Sequence, residues 1–152
     1  MDLQLSGKTA LVTGASAGIG RGIAKALAAE GVKTVIAARR QEALEALATE
    51  IEAEGNPVPV IIAGDLYEDD ASVKLAQMAL DAVAHIDILI NNAGGSRPFT
   101  DLHVDEERWE EAFKLNFHRP RQLADALIDQ MIERKFGRII NITGKSLSLI
   151  HI

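Results

Sequence analysis

Cysteine is absent from this 152-residue chain. That excludes a disulfide framework and any thiolate nucleophile or thiolate metal ligand. Histidine is sparse: His85, His103, His118 and His151 stand far apart without ligand spacing, so no metal site is expected. Basic runs are missing too, and the formal net charge is -6, which argues against a nucleic-acid partner. No stretch reaches about 18 uninterrupted apolar residues, so no membrane span is expected. The start, Met1-Asp2-Leu3-Gln4, lacks the cationic and apolar regions of a secretory leader, and the expected location is cytoplasmic. There is no linker, repeat or low-complexity tract. What remains is 47% hydrophobic and 25% charged residues, the balance of one soluble globular domain. A chain of this size can bury roughly two-thirds of its unfolded surface, enough for a core.

Apolar runs rich in β-formers alternate with segments of helical period along the chain. Strands are expected over residues 8–13, 33–38, 58–63, 86–91 and 138–143. Helices are expected over 19–30, ended by Gly31, over 41–54, ended by Gly55, and over 69–84, with Asp70 or Ser72 near its cap. A long helical region follows over 105–135, with a break expected near Pro120. Its Glu106, Glu107, Glu110 and Glu111 read as a solvated face. The strands are continuous rather than alternating, as when helices cover both faces. The fold class is therefore α/β, a doubly wound parallel sheet (Rossmann fold) with right-handed crossovers.

A glycine-rich turn, Thr13-Gly14-Ala15-Ser16-Ala17-Gly18-Ile19-Gly20, joins the first strand to the first helix. That context makes the glycines informative. Gly14 permits the tight turn, Gly18 lets backbone approach a pyrophosphate, and Gly20 lets helix and strand pack closely. The helix start offers free N–H groups and partial positive charge to phosphates. An acid that binds a ribose 2′-OH belongs at the end of the second strand, and Ala38-Arg39-Arg40 stands there instead. A neutral residue followed by two guanidinium groups suits a 2′-phosphate, so NADP(H) is expected in preference to NAD(H), with Arg39 ahead of Arg40.

From about residue 5 to residue 145 the chain resembles the short-chain dehydrogenase/reductase family. Thr13-Gly14-x3-Gly18-Ile19-Gly20 matches that family's cofactor motif, in which Ser16 falls. Asp65-Leu66 matches its adenine-contacting acid, and Asn91-Asn92-Ala93-Gly94 its NNAG motif. Asn116, in Lys114-Leu115-Asn116-Phe117, matches its catalytic asparagine. Gly137-Arg138-Ile139-Ile140-Asn141-Ile142 matches the strand leading to its catalytic serine. Within the family the chain is similar to 3-oxoacyl-carrier-protein reductases. The resemblance implies an NAD(P)-dependent enzyme that interconverts a carbonyl and a hydroxyl on a small molecule, and a homo-oligomeric parent, dimer or tetramer. It also implies a tyrosine that moves the proton, a lysine that lowers its pKa, a serine on the substrate oxygen and an asparagine that anchors water.

Two departures stand out. Gly144 occupies the place of the family's serine, with Thr143 and Ser146 as neighbouring hydroxyls, and Lys145 comes too early to be the family's lysine. Tyr67, the one tyrosine, lies after the third strand and reads as a surface or packing residue, so the Tyr-x-x-x-Lys pair is not in the chain as written. The final residues 147–152 (LSLIHI) are what CTG TCT CTT ATA CAC ATC encodes, the mosaic-end adaptor of transposase-based sequencing libraries. The expectation is an incomplete Rossmann domain over 1–146, the N-terminal five strands only, followed by an adaptor-derived tail over 147–152. The fragment is expected to be inactive. A catalytically inactive nucleotide-binding member of the family is the alternative.

Overall fold

The computed structural model describes residues 3–95 and 103–143. Five parallel strands lie in the order β3-β2-β1-β4-β5: β1 (Thr9–Thr13), β2 (Lys33–Ala38), β3 (Val60–Ala63), β4 (Ile88–Asn91) and β5 (Arg138–Asn141). The register sets Leu11 beside Val35 and Leu89, and Ile90 beside Ile140. Side chains alternate across a strand. Ala10 and Val12 therefore join one core with Ile36, Ile88 and Ile90, while Leu11 joins the other with Val35, Ile62 and Leu89.

Helices α1 (Gly18–Ala29) and α2 (Gln41–Ala53) cover the first face through Ala24, Ala28, Leu44, Leu47 and Ile51. Helix α3 (Ala71–Val83) and helix α5 (Arg119–Glu133) cover the second through Leu75, Ala79, Leu123, Leu127 and Met131. Helix α4 (Glu106–Phe113) precedes α5. The expected doubly wound sheet is thus observed. The strands that are buried on both faces are the central ones; the rim strand β5 is mostly exposed.

Helices α1 and α2 end where the glycines stop them. Gly31 N donates to Ala28 O and Val32 N to Leu27 O, the paired bonds of a Schellman turn, and Gly55 N with Asn56 N repeats them on α2. Between the two helices Lys25 pairs with Glu54 at 2.8 Å, and that bond holds the ammonium above the usual lysine range.

Two local expectations are corrected. The 105–135 segment does not break at Pro120. It changes winding over Lys114–His118, one π-helical turn, and Pro120 follows at the start of α5. The expected cap position of α3 falls on Asp70. Asp70 takes the N-cap place at φ 58° without a side-chain bond, and Ser72 Oγ donates across to Arg119 O. Finally, Glu106, Glu107 and Glu110 are solvated, but Glu111 is half-buried. A cap does exist on α4, where Asp105 accepts from Arg108 N at 2.9 Å.

Candidate dinucleotide site

The chain builds β1, β2 and β3 outward in one direction and then crosses back to lay β4 on the other side of β1. Strand order reverses there, and a crevice opens at the carboxyl ends of β1 and β4. A cleft of about 950 Å³ occupies this place. Of the expected site residues it is lined by Gly14, Ser16, Arg39, Arg40, Asp65, Leu66, Ala93 and Gly94. Gly18, Ile19, Gly20, Asn92 and Asn116 are not part of that lining, although Gly20 and Asn92 pack on Gly14 and Asn116 bonds to Gly95. Tyr67 and Glu111 also face the cleft.

Thr13 holds the crevice together. Its Oγ1 accepts from Asn92 N and Ala93 N, both at 3.0 Å, and donates to Ile90 O at 3.3 Å. Asn92 returns the link: its Nδ2 donates to Thr13 O at 3.1 Å and to Gly14 O at 3.2 Å. The glycine turn and the NNAG segment are thus one hydrogen-bonded unit. Gly14 has φ +65°, and an added Cβ there would stand 2.8 Å from Asn92 Nδ2 and 3.0 Å from the Ala93 backbone. Gly20 is packed as tightly, since a Cβ on it would strike Asn92 Nδ2 and Gly14 O. Gly18 differs. Its φ is +55°, and the space beside its missing Cβ is open.

Helix α1 starts at Ala17 without a side-chain cap, and its first turn carries no acid. Its leading N–H groups are left for an outside acceptor. Open space at Gly18, an uncapped helix start and tight packing at Gly14 and Gly20 together fit a pyrophosphate. Across the cleft Arg40 Nη2 approaches Ser16 Oγ at 3.5 Å, while both Arg39 and Arg40 are exposed on the rim. At the β3 end Asp65 Oδ1 accepts from Tyr67 N at 3.0 Å, a turn that leaves its other oxygen unengaged by that bond.

Asn116 lies inside the π turn. Its Oδ1 accepts from Gly95 N at 3.0 Å, and its Nδ2 donates to Gly95 O at 2.7 Å and Ala112 O at 2.8 Å. The widened turn lets one side-chain amide satisfy a helix carbonyl and grip the chain after β4 together. Beside it, Asn91 Nδ2 donates to Asn141 Oδ1 at 2.9 Å and to Pro120 O at 3.3 Å, joining the ends of β4 and β5 to the start of α5. Gly144, Lys145, Ser146 and the 147–152 tail lie outside the described residues, as do residues 96–100. Thr143 is exposed at the end of the described chain.

Sequence reasoning missed two contributors. Thr13 was visible as part of a motif, but its clamp on β4 carries no local signal. Arg119 is buried in the structure, and nothing in its neighbourhood of sequence marks it so. Among the described residues no cluster of three or more metal-ligating side chains occurs, and no helix is long and apolar enough to cross a membrane.

The short chain dehydrogenase family model matches residues 8–147. A 3-oxoacyl-[acyl-carrier-protein] reductase of Synechocystis is 39% identical over 141 residues, covering 92% of this chain and 57% of the relative. A metagenomic short-chain oxidoreductase solved with NADP superposes with a TM-score of 0.86 at 38% identity, covering 93% of this chain and 64% of that one. A 7α-hydroxysteroid dehydrogenase solved with NADH and 7-oxo glycochenodeoxycholic acid gives a TM-score of 0.87 at 30% identity, covering 94% and 55%. The chain spans about half the length of the curated relatives it matches, 46% and 48% of two of them. With the motif order, the sheet order and the matched residues in agreement, the chain belongs to the short chain dehydrogenase family of oxidoreductases.

Proposed function

We propose that this chain supplies the dinucleotide-binding part of an NADP(H)-dependent oxidoreductase that interconverts a carbonyl and a hydroxyl by hydride transfer. The observation that carries the cofactor choice is the end of β2. Ala38 stands where a 2′-OH-binding acid would, and Arg39 and Arg40 follow on the rim, with Arg40 leaning toward Ser16. Guanidinium groups pair with phosphate through two parallel N–H bonds. Similar structures hold NADP in one case and NADH in another, so the residues of this chain must decide.

In this reading Gly14, Ser16, Gly18, Ile19 and Gly20 receive the pyrophosphate on the start of α1. Asp65 and Leu66 take the adenine, and Asn92, Ala93 and Gly94 form the floor beneath the ribose. Asn116 is the catalytic-side anchor, its amide holding Gly95 in place. Bound there, the dinucleotide supplies or accepts the hydride. The proton belongs to the Tyr-x-x-x-Lys pair of a longer parent, an oligomeric cytoplasmic enzyme with a small carbonyl or alcohol substrate. The 1–146 portion is then an incomplete domain and 147–152 an adaptor-derived tail; genomic reads with other codons at 147–152 would remove that assignment.

Fluorescence titration tests the cofactor reading. NADPH should bind more tightly than NADH, and Arg39→Ala should narrow the gap. Tighter binding of NADH would sink the assignment. The chain alone should turn over no substrate. A second reading, a nucleotide-binding member without catalysis, is favoured by Gly144 at the family's serine place. The absence of a Tyr-x-x-x-Lys pair in the continuing gene would select it.

A further inference from the structure

The mechanism above leaves one buried cation unused. Arg119 is 5% exposed, at the first position of α5. Its Nε donates to Leu66 O at 2.6 Å, and its Nη2 donates to Glu68 O at 2.6 Å and Tyr67 O at 3.5 Å. Its Nη1 donates to Gln122 Oε1 at 2.8 Å. These acceptors are all neutral. Burying a guanidinium without a counter-charge is costly unless its donors are met. Holding α3 against α5 does not require that cost, since Leu75, Ala79, Leu123 and Leu127 already pack there. What Arg119 does fix is the loop after β3. Three successive carbonyls of that loop turn inward onto one guanidinium, while Asp65, Leu66, Tyr67 and Glu68 line the cleft on the other side.

We propose that Arg119 is a positioning residue for the adenine end of the dinucleotide, acting from behind through the Asp65–Glu68 loop. The inference rests on the dinucleotide reading and adds to it a residue outside the cleft. The same short segment also governs the opposite rim. Asn116 grips Gly95 there, while on the adenine side Lys114 pairs with Asp69, next in the chain to the Asp65–Glu68 loop, at 3.2 Å. The π turn and the start of α5 therefore set both walls of the crevice, with Arg119 answering for the adenine wall.

The test is calorimetric titration of the chain, Arg119→Met and Arg119→Lys with AMP, adenosine 2′,5′-bisphosphate and nicotinamide mononucleotide. A lost hydrogen bond to a charged group converts to about tenfold or more in affinity. Arg119→Met should lose that factor for both adenine probes and leave the mononucleotide unchanged. Arg119→Lys should recover part of it, because an ammonium can still reach one carbonyl. A folded Arg119→Met that binds both adenine probes like the unsubstituted chain overturns the inference. If Arg119→Met does not fold, hydrogen exchange on the unsubstituted chain decides. AMP should protect residues 114–122 as well as 65–68, and protection confined to 65–68 overturns it. An unsubstituted chain that binds neither adenine probe nor NADPH overturns the dinucleotide reading and this inference with it.

Discussion

Two glycines six residues apart, and a third between them, do different physical work. At Gly20 a methyl group would meet Asn92 and the Gly14 carbonyl, both fixed by hydrogen bonds. Gly20→Ala should therefore lower unfolding stability by about 1–3 kcal/mol, the usual cost of overpacking. At Gly18 the methyl would enter open space. Gly18→Ala pays only for the left-handed backbone, about 1–2 kcal/mol, yet it occupies the approach to the pyrophosphate. Thermal melts with NADPH titration should show Gly18→Ala as the variant that loses more binding for each degree of melting temperature lost. Equal ratios in the two variants would reject the distinction. The glycine spacing was legible in the sequence, because a turn between strand and helix restricts what such residues can do. Arg119 was not legible. An arginine is normally solvated, and burial of this one depends on three carbonyls some fifty residues earlier in the chain.

Among elements, β2 and the glycine-stopped helices followed their local pattern, since hydrophobic runs and Schellman turns are encoded nearby. Strands β3, β4 and β5 came out shorter than their apolar runs, because a strand lasts only as long as its ladder of pairs and an apolar run does not mark where that ladder starts or stops. Val60, for instance, is the first residue of β3 with a partner, Val35. The π turn escaped a periodic reading because one extra residue per turn breaks the period it relies on. Helix α5 ends without a glycine. Lys135 takes the left-handed position at φ 56°, with Lys135 N donating to Ile132 O and Phe136 N to Met131 O. Lys135→Gly should remove that backbone penalty and raise stability by about 0.5–1 kcal/mol, net of the extra freedom glycine has when unfolded. Urea denaturation would detect it as a higher midpoint at unchanged slope; a lower midpoint would contradict the strain argument.

For the molecule as a whole, several large apolar side chains face solvent. Phe113 and Phe117 around the π turn, Ile128 and Ile132 on α5, and Ile140 on β5 are each more than two-fifths exposed. Strand β5 pairs only with β4 among the described residues, so its outer row of backbone groups is open. An open apolar edge recruits other strands. The isolated chain should self-associate, seen as scattering that grows with concentration. Ile140→Lys should reduce it, by placing a charge on that edge, and a strictly monomeric chain across the concentration range would refute the expectation.

The Thr13 clamp sets the order in which such a molecule can assemble. Its bonds to Asn92 and Ala93 close loops of 79 and 80 residues. Contacts so distant in sequence are slow to form, because the entropy of closing the loop is lost before any contact repays it. On a ribosome, the glycine turn would emerge long before its partner and wait, shaped but unclosed, until β4 was made. The nucleotide crevice is therefore among the last parts of the sheet to mature. A dinucleotide, binding only the closed form, would draw folding forward at its final step rather than its first.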